Sequence, residues 1–230
     1  MAPPLQSLLI QKLLSTNAHI GKRVVAHHTK HLTIGIRNND ISIIDSDKTL
    51  VSLRSASSFI SSLARQKARF MFVNTNPLFD DIVDLMTKKI GCYSPSIASV
   101  WRTGGSLTNS CSPKKFRSRN KRLCFAPPQP PDCLIVFDSD GKSSVILEAS
   151  RLGIPIVSLV DPSIPLDYYE KITYPIPAND SVQFVYLFCN LITKTFLLAQ
   201  NKGKEGGGKL EDEPENYKGG DDNTNAAASS

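Results

Sequence analysis

The chain has 230 residues, 40% of them hydrophobic, which is enough for one domain with a real core plus tails and too little for several domains. Its formal charge of +6 is unevenly placed: residues 200–230 hold four Lys against seven acidic residues, a net of −3 that leaves +9 on the first 199. Five cysteines, an odd number with no Cys-x-x-Cys pair and no secretory signal, argue against a disulfide scaffold or a zinc site and for free thiols in a reducing compartment.

In chain order, Leu5 to Thr16 reads as a short helix. It is apolar, with Lys12 and no acid, and it fits an uncleaved organelle address without the Arg-rich, Ser-rich length of an ordinary transit peptide. Strands are predicted at Leu32–Ile36 and Ile41–Asp45, joined by the turn formers Asn38, Asn39 and Asp40. Asp47 is the expected cap of a helix running to about Arg65, with Leu50, Leu53, Ile60 and Leu63 on one side. Arg69–Asn74 is a compact apolar strand, Pro77 marks the start of a helix to about Lys89, and Ile97–Trp101 is a further strand candidate. The run from Pro127 to Pro131 contains four prolines and fits neither helix nor central strand.

Cys133–Phe137 then reads as a strand ending at Asp138, Ser143–Leu152 as a helix stopped by Gly153, and Ile154–Val160 as a strand ending at Asp161. Asn179 or Asp180 is the expected cap of a last helix to about Ala199. That stretch is apolar but interrupted by Gln183, Asn190, Thr193 and Lys194, so it reads as a buried helix rather than a membrane span. From Gln200 the Gly-, Asp-, Glu-, Asn- and Ser-rich composition predicts a disordered tail. Continuously apolar strands alternating with amphipathic helices imply an α/β, three-layer, flavodoxin-like (Rossmann-like) domain over residues 1–199, with a parallel sheet, an N-terminal helical extension and a C-terminal tail at 200–230.

Two zones lack any acid. The first 39 residues carry Lys12, Lys22, Arg23, Lys30, Arg37 and all four histidines. The loop 102–131 carries Arg102, Lys114, Lys115, Arg117, Arg119, Lys121 and Arg122, led in by Trp101 to Asn109 with Gly104, Gly105, Thr108 and Asn109. Such density without counter-charge suits a polyanion: phosphates are met by Lys, Arg, Thr and Asn side chains and by exposed backbone N–H groups, and glycine lets the backbone approach. Trp101 at a strand end either packs as core or hinge or stacks on a base. His27, His28, Lys30 and His31 read as a polar surface near phosphate, since no carboxylate or thiol nearby would complete a metal site.

Asp138 and Asp161 stand where open parallel sheets bind ligands, beyond the strands' carboxyl ends. This leaves a second reading, a Rossmann-like enzyme or binding protein for a phosphorylated small ligand. Against it, no Gly-x-Gly-x-x-Gly or phosphate loop follows any strand, and no Ser-Gly elbow lies near a histidine. The bland alternative is that both aspartates cap turns.

Six collinear stretches between residues 8 and 198 resemble one family, the universal small-subunit ribosomal protein two (S-two) family. They are Leu13–Gly21, Arg37–Asp45 with Lys48 and Thr49, Trp101–Asn109, Pro131–Asp138, Glu148–Val157 with Asp161, and Tyr174–Asp180 (Tyr-Pro-Ile-Pro-Ala-Asn-Asp). The resemblance implies a flavodoxin-like domain, a structural and non-catalytic role in the small ribosomal subunit, small-subunit rRNA and neighbouring ribosomal proteins as partners, and no cofactor, membrane or small-molecule substrate. Where bacterial members carry a long helical hairpin, only Ser110–Pro130 stands here, without heptads. Thr103 looks inserted in the Trp-Gly-Gly motif, and Lys22-Arg23 comes early in its loop. Such drift around a bacterial-like core points to a mitochondrial ribosome. The expected RNA-binding set is Lys22, Arg23, His27, His28, Lys30, Arg37, Arg102, Thr108, Asn109, Lys114, Lys115, Arg117, Arg119, Lys121 and Arg122.

Overall fold

The chain opens with helix α1 (Leu5–Ser15), makes a 3-10 turn at His27–Leu32, and forms an antiparallel ribbon from β1 (Thr33–Arg37) and β2 (Ile41–Ile44). Helix α2 (Ser46–Arg65), strand β3 (Phe70–Val73) and helix α3 (Asp80–Ile90) follow, then an antiparallel pair of two-residue strands, β4 (Phe116–Arg117) and β5 (Leu123–Cys124). The second half is β6 (Cys133–Val136), α4 (Ser144–Arg151), β7 (Ile156–Val160), the short α5 (Leu166–Tyr169), β8 (Tyr174–Pro177) and the long α6 (Val182–Gly206). This is a computed structural model, and it describes residues 5–22, 25–37, 41–74, 76–91, 105, 107–108, 116–117, 123–124, 130–139 and 144–206.

Strands β3, β6, β7 and β8 pair in that order, all parallel. Each of β3, β6 and β7 is buried along its whole length, which is why these runs are apolar without alternation. One face of the sheet, with Phe72, Ile135, Phe137, Leu159 and Ile176, packs against α1, α2, α3 and α6. The other, with Met71, Leu134, Val136 and Val160, packs against Val145, Ile146 and Ala149 of α4, against Tyr168 and Tyr169 of α5, and against Leu107. The result is the expected three-layer α/β arrangement around a parallel sheet.

Helix α6 shows what its apolar composition is for. Val182–Asn201 is long and apolar enough to cross a membrane by length and composition alone. In this fold Phe184, Val185, Phe188, Cys189, Ile192, Phe196 and Ala199 line a stripe buried in the core, with Phe188 edge-on to Phe137 and Phe70 edge-on to Phe196.

The caps differ from expectation by short steps. Asp45, not Asp47, caps α2: its carboxylate accepts the Asp47 N–H at 3.0 Å, and Asp47 sits in the first turn, where a negative charge suits the helix N-terminus. Ser181, rather than Asn179 or Asp180, caps α6 through the Phe184 N–H at 3.2 Å. The helix runs on to Gly206, past the expected end at Ala199. Gly153 does stop α4: its φ of 69° lets the Ile154 N–H reach back to the Ala149 carbonyl at 2.9 Å.

Strand β8 was not legible because Pro175 and Pro177 argue against a strand. At the edge of the sheet they are tolerated, and the flanking Thr173 and Ala178 N–H groups donate to Ile156 and Val160 at 3.0 and 3.1 Å. The 3-10 turn at His27–Leu32, the short α5 and the small β4–β5 pair carry no strong periodicity and were likewise unexpected. The strand candidate Ile97–Trp101, Trp101 itself and the tail from 207 lie outside the described residues.

Candidate nucleic-acid interface

The N-terminal basic zone is stitched to the carboxyl end of the sheet. Segment 19–22 lies along β2, with the Gly21 N–H donating to the Ser42 carbonyl at 2.8 Å and the Ile44 N–H to the His19 carbonyl at 2.8 Å. The Lys22 N–H donates to Asp161 Oδ1 at 3.1 Å. Further on, the Ala26 N–H and the wholly buried Thr29 hydroxyl both donate to the Pro162 carbonyl, at 2.9 and 2.5 Å. This anchoring turns the side chains of Lys22, His27, Lys30 and Arg37 outward, where all four are exposed. His28 departs from the expectation: it is half-buried, its ring tilted against Tyr169 with centroids 5.4 Å apart. Burial of Tyr169 raises its phenol above the ordinary value.

The aspartates at the strand ends separate into different roles. Asp161 closes a turn: its Oδ2 accepts the Ser163 N–H at 3.0 Å and the Ser163 hydroxyl at 2.6 Å, while its Oδ1 accepts Lys22. The bland reading of Asp161 is therefore the one the geometry bears out. Together with Asp138, Asp180 and Lys22 it borders a cavity of about 310 Å³ beyond β6, β7 and β8. Three carboxylates against one ammonium make that mouth unfavourable for a phosphorylated ligand. Among the described residues no cluster of His, Cys, Asp or Glu could hold a metal ion.

The second zone begins at the Gly-Gly turn, and here the structure reverses an expectation. The backbone N–H groups of Gly105, Leu107 and Thr108 do not face outward to meet phosphate. All three donate to one carboxylate, that of Glu148 on α4, with Leu107 at 2.9 Å and Thr108 at 3.3 Å. Glu148 is only 5% exposed and Leu107 only 2%. A carboxylate brought this far out of water needs charge-assisted donors, and the turn supplies them in its backbone, with Gly105 at φ 80° to bend the chain. Thr108 is left exposed. Glu148 is not singled out by the sequence pattern around it. The available signal was an acid among the buried apolar positions of a helix, beside Val145, Ile146 and Ala149.

Of the other expected contacts, Arg102, Asn109, Lys114, Lys115, Arg119, Lys121 and Arg122, and Arg23 of the first zone, lie outside the described residues. Arg117 is placed on strand β4. Both zones are nonetheless rooted in the same layer. Leu107 packs into the α4 side of the sheet, as does Ile164 just after Pro162, and Tyr169 lies against that same cluster. Two thiols are described, Cys133 and Cys189. Both are buried, and that burial pushes each up to about 12, so both stay protonated near neutral pH.

The chain matches the family described as Ribosomal protein S2 over residues 13–125 and 118–199. It is 57% identical over 201 residues to small ribosomal subunit protein uS2m of Arabidopsis thaliana, covering 86% of this chain and 91% of that protein. It is 40% identical over 223 residues to uS2m of Marchantia polymorpha, covering 84% and 92%. Small ribosomal subunit protein uS2 of the bacterium Dehalococcoides mccartyi (strain ATCC BAA-2266 / KCTC 15142 / 195) is 28% identical over 227 residues, covering 84% and 90%. With its three-layer body, its outward cations and similarity that runs along nearly the whole chain, this protein belongs to the ribosomal protein S2 family.

Proposed function

We propose that this protein is a structural, non-catalytic constituent of the small subunit of the mitochondrial ribosome. The observation that carries this is the match to two uS2m proteins over 84–86% of the chain, body included. The geometry supports it: the carboxylates that would serve an enzyme face a negative cavity mouth or close turns, while Lys22, Lys30 and Arg37 are exposed. Its partners are small-subunit rRNA and neighbouring ribosomal proteins.

In this reading phosphate is met by Lys22, Arg23, His27, Lys30 and Arg37 from the first zone. Arg102, Thr108, Asn109, Lys114, Lys115, Arg117, Arg119, Lys121 and Arg122 serve from the second, and His28 helps to shape the first by packing. Phosphate contacts of this kind release counterions, so affinity for rRNA falls by roughly 0.7–0.9 log units per log of salt for each contact. Replacing Lys114, Lys115, Arg117 and Arg119 with alanine flattens that slope by about 3. An unchanged slope takes the loop out of the interface. Localisation is tested by sucrose-gradient sedimentation of mitochondrial extract: the chain travels with the small subunit and stays with it when magnesium is lowered to part the subunits. A chain left at the top of the gradient defeats the proposal.

A further inference from the structure

We infer that Glu148 is the positioning residue of the RNA-facing turn, holding Thr108 and the root of the basic loop in place by gathering the N–H groups of Gly105, Leu107 and Thr108 onto one buried carboxylate. This rests on the reading of that loop as an rRNA contact. The carboxylate belongs to α4, a helix fixed on the sheet by Val145, Ile146 and Ala149, all fully buried. Among the described residues no Lys or Arg pairs with it, so its charge is balanced by the turn's own backbone. The coupling runs both ways. Without the turn, Glu148 is a buried and uncompensated charge; without Glu148, three donors beside the core lose their acceptor.

Leu107 completes the clamp. Its side chain sits in the same cluster as Val145 and Ile146, so the turn is plugged into the core between two of the residues whose N–H groups the carboxylate holds. The exposed Thr108 is therefore offered from a fixed backbone. A polyanion meeting groups presented this way pays less ordering entropy than one meeting a free loop. The turn thus serves RNA indirectly: the amides of Gly105, Leu107 and Thr108 are filled by an internal anion, and the contact is left to side chains.

The test uses the full chain and a small-subunit rRNA transcript. Two variants loosen the turn from opposite sides, Glu148→Gln, which keeps volume but sets an amide NH2 against the N–H donors, and Leu107→Ala, which removes the plug. Hydrogen exchange at the Leu107 and Thr108 amides is expected to quicken at least about tenfold while the amides of Val157 and Leu159 stay protected. In the same samples the Kd for rRNA is expected to rise about tenfold, with an active fraction of one by stoichiometric titration. A structural role alone would lower the active fraction or the Tm and leave the Kd of folded protein unmoved. Freed amides with an unchanged Kd overturn the inference, and so do amides that stay protected in both variants. The variant with Lys114, Lys115, Arg117 and Arg119 replaced by alanine serves as the reference arm. If it weakens binding and the two turn variants do not, the inference alone fails; if it too binds like the parent, the loop reading fails and takes the inference with it.

Discussion

Strands β6 and β7 are buried along every residue, whereas β1 leaves four of its five residues exposed, including Ile34 at 73% and Ile36 at 56%. The two regions use similar β-branched residues for different ends. In the parallel sheet, helices cover both faces and each side chain adds to one cooperative core. In the ribbon only β2 turns inward, through Ser42 and Ile44, and it is flanked by segment 19–22 on one side, while the outer strand β1 is held by its ladder to β2. The comparison teaches that the domain's stability sits in the covered sheet, apart from the exposed outer strand of the ribbon.

Substitutions can break that separation or sharpen it. The largest effect is expected in the sheet's core: Phe188→Ala, removing a ring packed on Phe137 and stacked with Phe184, costs about 3–5 kcal/mol in denaturant unfolding. A much smaller cost would mean that α6 is not part of the cooperative unit. Next comes the seam between the N-terminal half and the sheet. Thr49→Val removes a buried hydroxyl that donates to the Pro177 carbonyl at 2.6 Å, and costs about 2 kcal/mol while leaving far-UV circular dichroism unchanged.

At the rim of the sheet, Asp132 accepts the Arg69 N–H at 2.8 Å and faces its guanidinium at 3.4 Å. That backbone bond first, then the side-chain bond and the guanidinium charge, hold its carboxyl below the ordinary 3.8. A depressed folded-state pKa stabilises at pH values above the ordinary one and is lost as pH falls through the depressed one, so the contribution disappears below about pH 3.8. The side chain is nearly half exposed, and Asp132→Asn therefore costs under about 1 kcal/mol at neutral pH, with the variant and parent curves converging in acid. The smallest effect belongs to the ribbon: Ile36→Ser changes unfolding free energy by no more than about 0.5 kcal/mol. A loss on the scale of the core variant would erase the distinction drawn above.

Much of this was open to reading from residue order. Apolar runs at Phe70, Cys133 and Ile156 without alternation dictate strands covered on both faces, and Gly153 dictates where α4 stops, because both follow from local chemistry. The outward cations of the N-terminal zone were legible for the same reason: charge without counter-charge has nowhere to go but the surface. What was not legible depended on distant partners. Asp161 looks like a ligand-binding carboxylate until Lys22 and Ser163 are seen to occupy it. Glu148 looks like one more helix acid until the Gly105 turn arrives from 43 residues away. The cap at Asp45 rather than Asp47 is a smaller case, since either aspartate satisfies the local rule and only the loop's entry path chooses between them.

The bonds that close the domain also impose an order on its making. The Ser181 hydroxyl donates to the Thr16 carbonyl across 165 residues, Lys22 meets Asp161 across 139, and the Asn179 N–H donates to the Ala18 carbonyl. A nascent chain emerging N-terminus first carries its basic leader with none of these acceptors or donors yet synthesised. These three bonds of segment 16–22 cannot form until β8 and the start of α6 have left the exit tunnel, whereas its pairing with β2 needs only residues 42–44. The long-range bonds that close the body are also the ones that fix the first basic zone against the sheet.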